Sequence, residues 1–282
     1  MNPVPNHVLE EIIARALAED LGGRGDVTST ATIPAAATGR FVIAARRPGV
    51  LAGRAAAAET FVRIDPELRV EWLAGDGDAL QPDTEIARIT GRARSILAAE
   101  RTALNFLGRL SGVATLTRAY VDAVAGTGAA IAHTRKTTPG LRALELAAVA
   151  AGGGAAHRFG LFDAVLIKDN HVAIAGGVAE AVQRARRFAG HMTRVAVEVD
   201  TFDQLDEAIA AGADSVLLDN FTLPDLAEAV GHAQGEGVVL EASGNVDLET
   251  VRDIAATGVD VISVGALTHS APNLDLGLDW RN

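Results

Sequence analysis

The chain contains no cysteine. Disulfides, thiolate-bound zinc and thiol nucleophiles are therefore excluded. No apolar run reaches the ~18–20 residues that a membrane span needs. The opening stretch, MNPVPNHVLEEII, lacks the basic-then-apolar order of a signal peptide, so a cytoplasmic protein is expected. Basic charge is also short: Lys plus Arg is 25 against 36 for Asp plus Glu, a net charge of −11. That balance argues against a general nucleic-acid binder, which needs a basic footprint. Lysine is the scarcest of the charged residues, with only Lys136 and Lys168 beside 23 Arg. A coding bias towards Arg and Ala explains the shortage but not the two survivors. Arg and Lys interchange on a solvated surface, but not where a compact charge on a flexible stem is required.

What is present suffices for a large core. The 282 residues are 49% hydrophobic and 22% charged, enough for one large domain or two ordinary ones and unlike a disordered chain. Apolar spacing predicts a helix over 7–21, stopped by Gly22 and Gly23, and short strands over 41–45, 50–52 and 68–73. Helices are predicted over 55–64, 95–110 and 114–124. Beyond Gly128 strand and helix alternate regularly. Strands are expected at 129–133, 164–167, 195–199, 215–218, 238–240 and 261–264, each followed by a helix or a Gly-rich turn. Such units with short connections build a parallel sheet. The expected fold is α/β: an N-terminal α/β domain over residues 1–116, then an incomplete, about six-stranded parallel α/β barrel over 117–282, with the last residues free to pack back on the N-terminal domain.

Polar groups at the ends of several different strands favour a barrel, whose chemistry sits at those C-terminal ends. Arg135 and Lys136 follow the first barrel strand and Lys168 the second, with His157 and Arg158 on the loop between. Glu198 ends the third and Asp219 the fourth. Ser243 and Gly244 follow the fifth, and Gly265 the sixth. A single charged strand end has a structural explanation; this convergence points to a site. The cations suit a small polyanion. Glu198 and Asp219 suit Mg²⁺ shared with a substrate phosphate. The late glycine turns suit a phosphate held by backbone N–H groups. Charge and spacing do not name the reaction.

The motifs do. His133-Thr134-Arg135-Lys136-Thr137-Thr138-Pro139-Gly140-Leu141-Arg142, Gly152-Gly153-Gly154 with His157-Arg158, Leu166-Ile167-Lys168-Asp169-Asn170-His171, Glu198-Val199-Asp200, Leu217-Leu218-Asp219-Asn220-Phe221, Glu241-Ala242-Ser243-Gly244 and Val264-Gly265-Ala266-Leu267-Thr268-His269 resemble quinolinate phosphoribosyltransferases. So do Gly25-Asp26-Val27-Thr28-Ser29 and Glu100-Arg101-Thr102, so the resemblance spans the chain. It implies conversion of quinolinate and phosphoribosyl pyrophosphate to nicotinate mononucleotide, pyrophosphate and CO₂, for NAD biosynthesis. It also implies Mg²⁺, an N-terminal α/β sandwich and a homodimer or an assembly of dimers, with Arg101 contributed across the interface. By similarity Arg101, Arg135, His157, Arg158 and Lys168 bind quinolinate, and Thr134 joins the substrate-binding set. Lys136 lies near the ribose and pyrophosphate, and Glu198 and Asp219 face the ribose and Mg²⁺; these three are the implied catalytic residues. Ser243, Gly244, Asn245, Val264, Gly265 and Ala266 take the ribose phosphate. Two other readings stand beside this one: a diverged phosphoribosyltransferase of the molybdenum-transport-associated type, and a Schiff-base aldolase using Lys136 or Lys168.

Overall fold

The computed structural model describes residues 4–281. Residues 1–3 and 282, which the N-terminal reading and the outer domain bounds include, lie outside the described residues. In chain order the first elements are α1 (Asn6–Leu21), α2 (Val27–Thr32), β1 (Thr38–Ala45), β2 (Gly49–Val50), α3 (Arg54–Ile64), β3 (Arg69–Trp72), β4 (Ala79–Leu80), β5 (Glu85–Arg92) and α4 (Ala93–Ala123). Then follow β6 (Ala130–Ala132), α5 (Arg142–Ala151), β7 (Val165–Ile167), α6 (Asp169–Ala175), α7 (Val178–Phe188), β8 (Val195–Val199), α8 (Phe202–Ala210), β9 (Ser215–Asp219), α9 (Leu223–His232), β10 (Val239–Ser243), α10 (Val251–Ala256), β11 (Val261–Ser263), α11 (Ala266–His269) and β12 (Leu276–Arg281). No described helix is long and apolar enough to cross a membrane.

By contacts the chain forms two units that interleave in sequence. The first comprises the residues up to Arg118, then Thr137–Gly153, and the chain from Ala266 on; the second comprises Ala119–Lys136 and Gly154–Gly265. Helix α5 and the C-terminal α11 and β12 thus group with the first unit. A buried ion pair is part of the reason. Glu145 of α5 is fully buried and accepts from Arg109 Nη2 of α4 at 2.7 Å, and Arg109 also donates to the carbonyls of Thr268 and Ala271.

Within the first unit an antiparallel sheet runs β12-β1-β5-β3. Its apolar face packs into a core that includes Phe41, Ile43, Phe61, Ile86, Ile89, Ile96 and Leu107. The last strand closes the sheet edge, pairing Phe41 with Trp280, whose rings meet edge to face at 5.3 Å. The two helices expected at 95–110 and 114–124 are one helix, α4. Gly112 does not break it; a Cβ there would come within 2.0 Å of the Pro272 carbonyl, so glycine permits close backbone approach. Strand β5 and helix α2 carry no expectation from apolar spacing. In β5 arginines and a glycine break the alternation, and α2 is a six-residue helix started by Asp26, which accepts the Ser29 N–H at 2.9 Å.

The second unit holds all six barrel strands, parallel and in the order β6-β11-β10-β9-β8-β7. The first strand in sequence pairs with the last, as in a barrel. The ring is left open between β6 and β7, where Ala155 makes an isolated parallel bridge to Ala132. The strands are apolar runs covered by α7, α8 and α9, whose buried residues include Val182, Leu205 and Leu226. Helix α6 starts at once after Lys168; the Lys168 N–H donates to His171 Nδ1 at 2.9 Å and caps it.

Candidate active site

Register sets the height of each side chain in the barrel. Glu241 stands opposite Leu217, and Leu217 opposite Glu198. One step up, Ser243 stands opposite Asp219. Alternate residues of a strand share a face, so these form two stacked rows at the C-terminal ends of β8, β9 and β10. They border a cavity of about 450 Å³, also lined by Thr134, Arg135, Lys136, His157, Arg158, Leu166, Lys168, Gly244 and Ser263.

The cavity has a cationic side and an acidic side. Arg158 is held below the ordinary guanidinium range by burial and by Arg135, while Asp163 partly opposes this. Its Nε is buried with no hydrogen-bond partner. Two guanidiniums facing one space, with Arg135 disfavouring the charge of Arg158, call for an anion. Across from them Lys168 pairs with Glu198. The Asp219 carboxyl is raised above its usual range by burial and by the Glu198 and Asp200 charges, with Lys168 and Lys136 pulling the other way. That environment favours a cation beside the two carboxylates.

The loop carrying His157 is wired from inside. Its N–H donates to His133 Nε2 at 3.1 Å, and the Arg158 N–H donates to His157 Nδ1 at 2.8 Å. With Nδ1 accepting, Nε2 carries the ring proton and faces Glu241 Oε2 at 3.3 Å. Asp163 fixes the far side of the turn by accepting the N–H groups of Phe159 (2.6 Å) and Gly160 (2.9 Å). On the first barrel loop, Thr134 Oγ1 accepts the Lys136 N–H at 3.1 Å.

Of the residues expected in the site, Thr134, Arg135, Lys136, His157, Arg158, Lys168, Glu198, Asp219, Ser243 and Gly244 line this one cavity. Asn245 lines instead a neighbouring hollow of about 490 Å³, reached past Ser243 and Gly244. Val264 is buried, Gly265 is half-buried, and neither lines the cavity. Ala266 and Arg101 belong to the first unit, where Arg101 is exposed on α4. Glu241 was not singled out from sequence. It is 4% exposed, lines the cavity, and leaves Oε1 without a hydrogen-bond partner. Its spacing two residues before Ser243, on the same strand face, was the available signal.

Comparison with known proteins agrees along the chain. Residues 26–111 match the family described as quinolinate phosphoribosyl transferase, N-terminal domain, and residues 113–279 match its C-terminal domain. The chain is 42% identical over 275 residues to a probable nicotinate-nucleotide pyrophosphorylase (carboxylating) of Bacillus subtilis, covering 97% of this chain and 94% of the relative. It is 42% identical over 292 residues to a quinolinate phosphoribosyltransferase (decarboxylating) of Nicotiana glauca, covering 97% and 83%. Among solved structures it is similar to the nicotinate-nucleotide pyrophosphorylase from Francisella tularensis, with a TM-score of 0.95, 41% identity, and coverage of 99% and 98%.

Proposed function

Because this chain belongs to the quinolinate phosphoribosyltransferase family, we propose that it joins quinolinate to the phosphoribosyl group of phosphoribosyl pyrophosphate, with loss of CO₂. The products are nicotinate mononucleotide and pyrophosphate, on the route of NAD synthesis. The observation that carries this reading is the divided cavity: paired Arg135 and Arg158 with an unsatisfied guanidinium nitrogen, opposite Glu198 and Asp219.

Quinolinate carries two adjacent carboxylates on a pyridine ring. Arg135, Arg158 and Lys168 bind them and hold the ring nitrogen towards the acidic side. There the bond from ribose C1 to the pyrophosphate oxygen breaks and the ring nitrogen forms its bond to C1. Positive charge develops on the ribose during the exchange, and Glu198 and Asp219 stabilise it. Lys136 steadies the departing pyrophosphate. The bond between C2 and its carboxylate then breaks, its electron pair stays on C2 where the adjacent positive nitrogen stabilises it, and that pair takes a proton as CO₂ leaves. No step uses a covalent enzyme intermediate. The Schiff-base reading gains nothing from Lys168, whose ammonium is already engaged by Glu198.

The donor set fits Mg²⁺. Glu198 and Asp219 are hard oxygen ligands, and no cluster of three or more His, Cys, Asp or Glu that could hold a metal occurs among the described residues. A hard octahedral ion suits such a sparse set, because it keeps waters and takes phosphate oxygens. Glu198 and Asp219 would hold it, directly or through water, and it would neutralise charge on the pyrophosphate. We also propose that the enzyme works as a homodimer, with Arg101 of each chain serving its partner's cavity.

The test is nucleotide formation. Purified protein with quinolinate, phosphoribosyl pyrophosphate and Mg²⁺ should yield nicotinate mononucleotide, and a chelator should abolish turnover. Nicotinate should be a poor acceptor. Equal turnover of the two acids would overturn the assignment.

A further inference from the structure

We infer that Asn220 is a positioning residue for Asp219: it grips one carboxylate oxygen from behind and so aims the other towards the ribose side of the cavity. The inference rests on the reading of Asp219 given above. Asp219 is the last residue of β9, and the chain must turn away immediately to reach α9. It does so through Asn220, which adopts φ +57°. Asparagine is one of the few residues other than glycine that visits this left-handed region at low cost. The turn brings the Asn220 amide back onto the residue before it, and Nδ2 donates to Asp219 Oδ2 at 2.9 Å.

Position separates the two residues in role. Asp219 lines the catalytic cavity and Asn220 does not; Asn220 lines the neighbouring hollow. Its amide therefore reaches Asp219 from the side of that neighbouring hollow. The clamp has a third member. Gly244, φ +98°, lies so close that a Cβ there would meet Asn220 Oδ1 at 3.0 Å and Asp219 Oδ1 at 3.3 Å. Glycine at 244 thus leaves room for both side chains, and the backbone of the β10 turn limits how far either can swing. An aspartate held only by its own rotamer would be free to turn among the charges of Lys168, Lys136, Glu198 and Asp200 that act on it. Fixing one oxygen to an amide removes that choice before substrate arrives.

A mutant cycle tests this. Asn220→Gly keeps the left-handed turn and deletes only the amide. It should lower kcat/KM for phosphoribosyl pyrophosphate about 10-fold, the scale of one hydrogen bond to a carboxylate. Quinolinate affinity, read by calorimetry without the second substrate, should stay unchanged. Asp219→Ala should lose more, and adding Asn220→Gly to it should lose nothing further, because the amide acts only through Asp219. Wild-type kinetics in Asn220→Gly, or losses that multiply in the double variant, would overturn the inference. If Asn220→Gly does not fold, Asn220→Asp decides. It tolerates the same turn but replaces the donor with a second carboxylate, and wild-type kinetics there would overturn the role equally. Asp219→Ala with wild-type kinetics would instead remove the reading of Asp219, and the role of Asn220 with it.

Discussion

Only two lysines survive in this arginine-rich chain, and both line the same cavity. Lys168 reaches Glu198, and both ammonium groups act on Asp219. A guanidinium in either place is longer, planar and fixed in a fork. Lys136→Arg and Lys168→Arg should each keep the fold, read by unfolding midpoint, yet lose about 100-fold in kcat/KM, the scale of a misplaced reacting group. Near-wild-type activity in both would mean that the lysines survived by chance. The cationic side makes its own prediction. Nicotinate lacks the carboxylate at C2, and leaving one partner of a buried charge pair alone costs about 2–5 kcal/mol. Its kcat/KM should therefore fall about 30-fold or more below that of quinolinate, measured by competition in one assay.

Two buried carboxylates hold elements of the first unit together, and each is open to test. Glu145 of α5 accepts from Arg109 Nε and Nη2 and from the backbone and hydroxyl of Thr138, so one side chain ties α4, α5 and the segment between β6 and α5. Glu145→Ala leaves Arg109 without its carboxylate and should cost about 3–5 kcal/mol of unfolding free energy in a denaturant titration. A loss within about 0.5 kcal/mol, the usual range of surface changes, would contradict that. Asp65, also buried, accepts Arg92 Nε and Nη2 at 2.7 Å each, which holds its carboxyl well below the ordinary range. A depressed carboxyl stabilises the fold above its unfolded-state value, and that contribution fades as pH falls through its folded-state value. Arg92→Ala should therefore be less stable than wild type at pH 7, with the gap narrowing steadily as the solution is made acidic. A gap independent of pH would show that the ion pair is not its source.

Much of this architecture was legible in the sequence. The six barrel strands are short apolar runs bounded by charged residues or by small residues and glycine, and that pattern finds them. What was illegible had local causes. Gly112 resembles a helix stop, and only the Pro272 carbonyl pressed against it shows why glycine sits inside α4. Strand β5 interrupts its alternation with Arg88, Arg92 and Gly91, whose demands come from neighbouring elements rather than from its own pattern. At the site, strand-end charges could be read directly. Glu241 escaped because it lies one layer deeper in an otherwise apolar strand. Away from the site, Arg109 escaped because polar residues along a helix read as solvated surface until a buried Glu145 is placed beside one of them.

For the whole molecule, the proposal is that Arg101 serves the cavity of its partner chain. A two-fold dimer would supply it reciprocally and build two equal sites. Arg101→Ala and Lys136→Ala should each be nearly inactive alone. Refolded together in equal amounts, half the dimers are mixed and one site in each is intact, so roughly a quarter of wild-type activity should return. No recovery, given proven subunit exchange, would assign Arg101 to its own chain or to no site. In the proposed reaction, nitrogen alkylation by the ribose makes the ring lose its C2 carboxylate. Quinolinate labelled in that carboxylate provides the test. Labelled CO₂ should appear only with phosphoribosyl pyrophosphate present and in equal amount to the mononucleotide formed. Release without phosphoribosyl pyrophosphate, or mononucleotide that keeps the label, would contradict it.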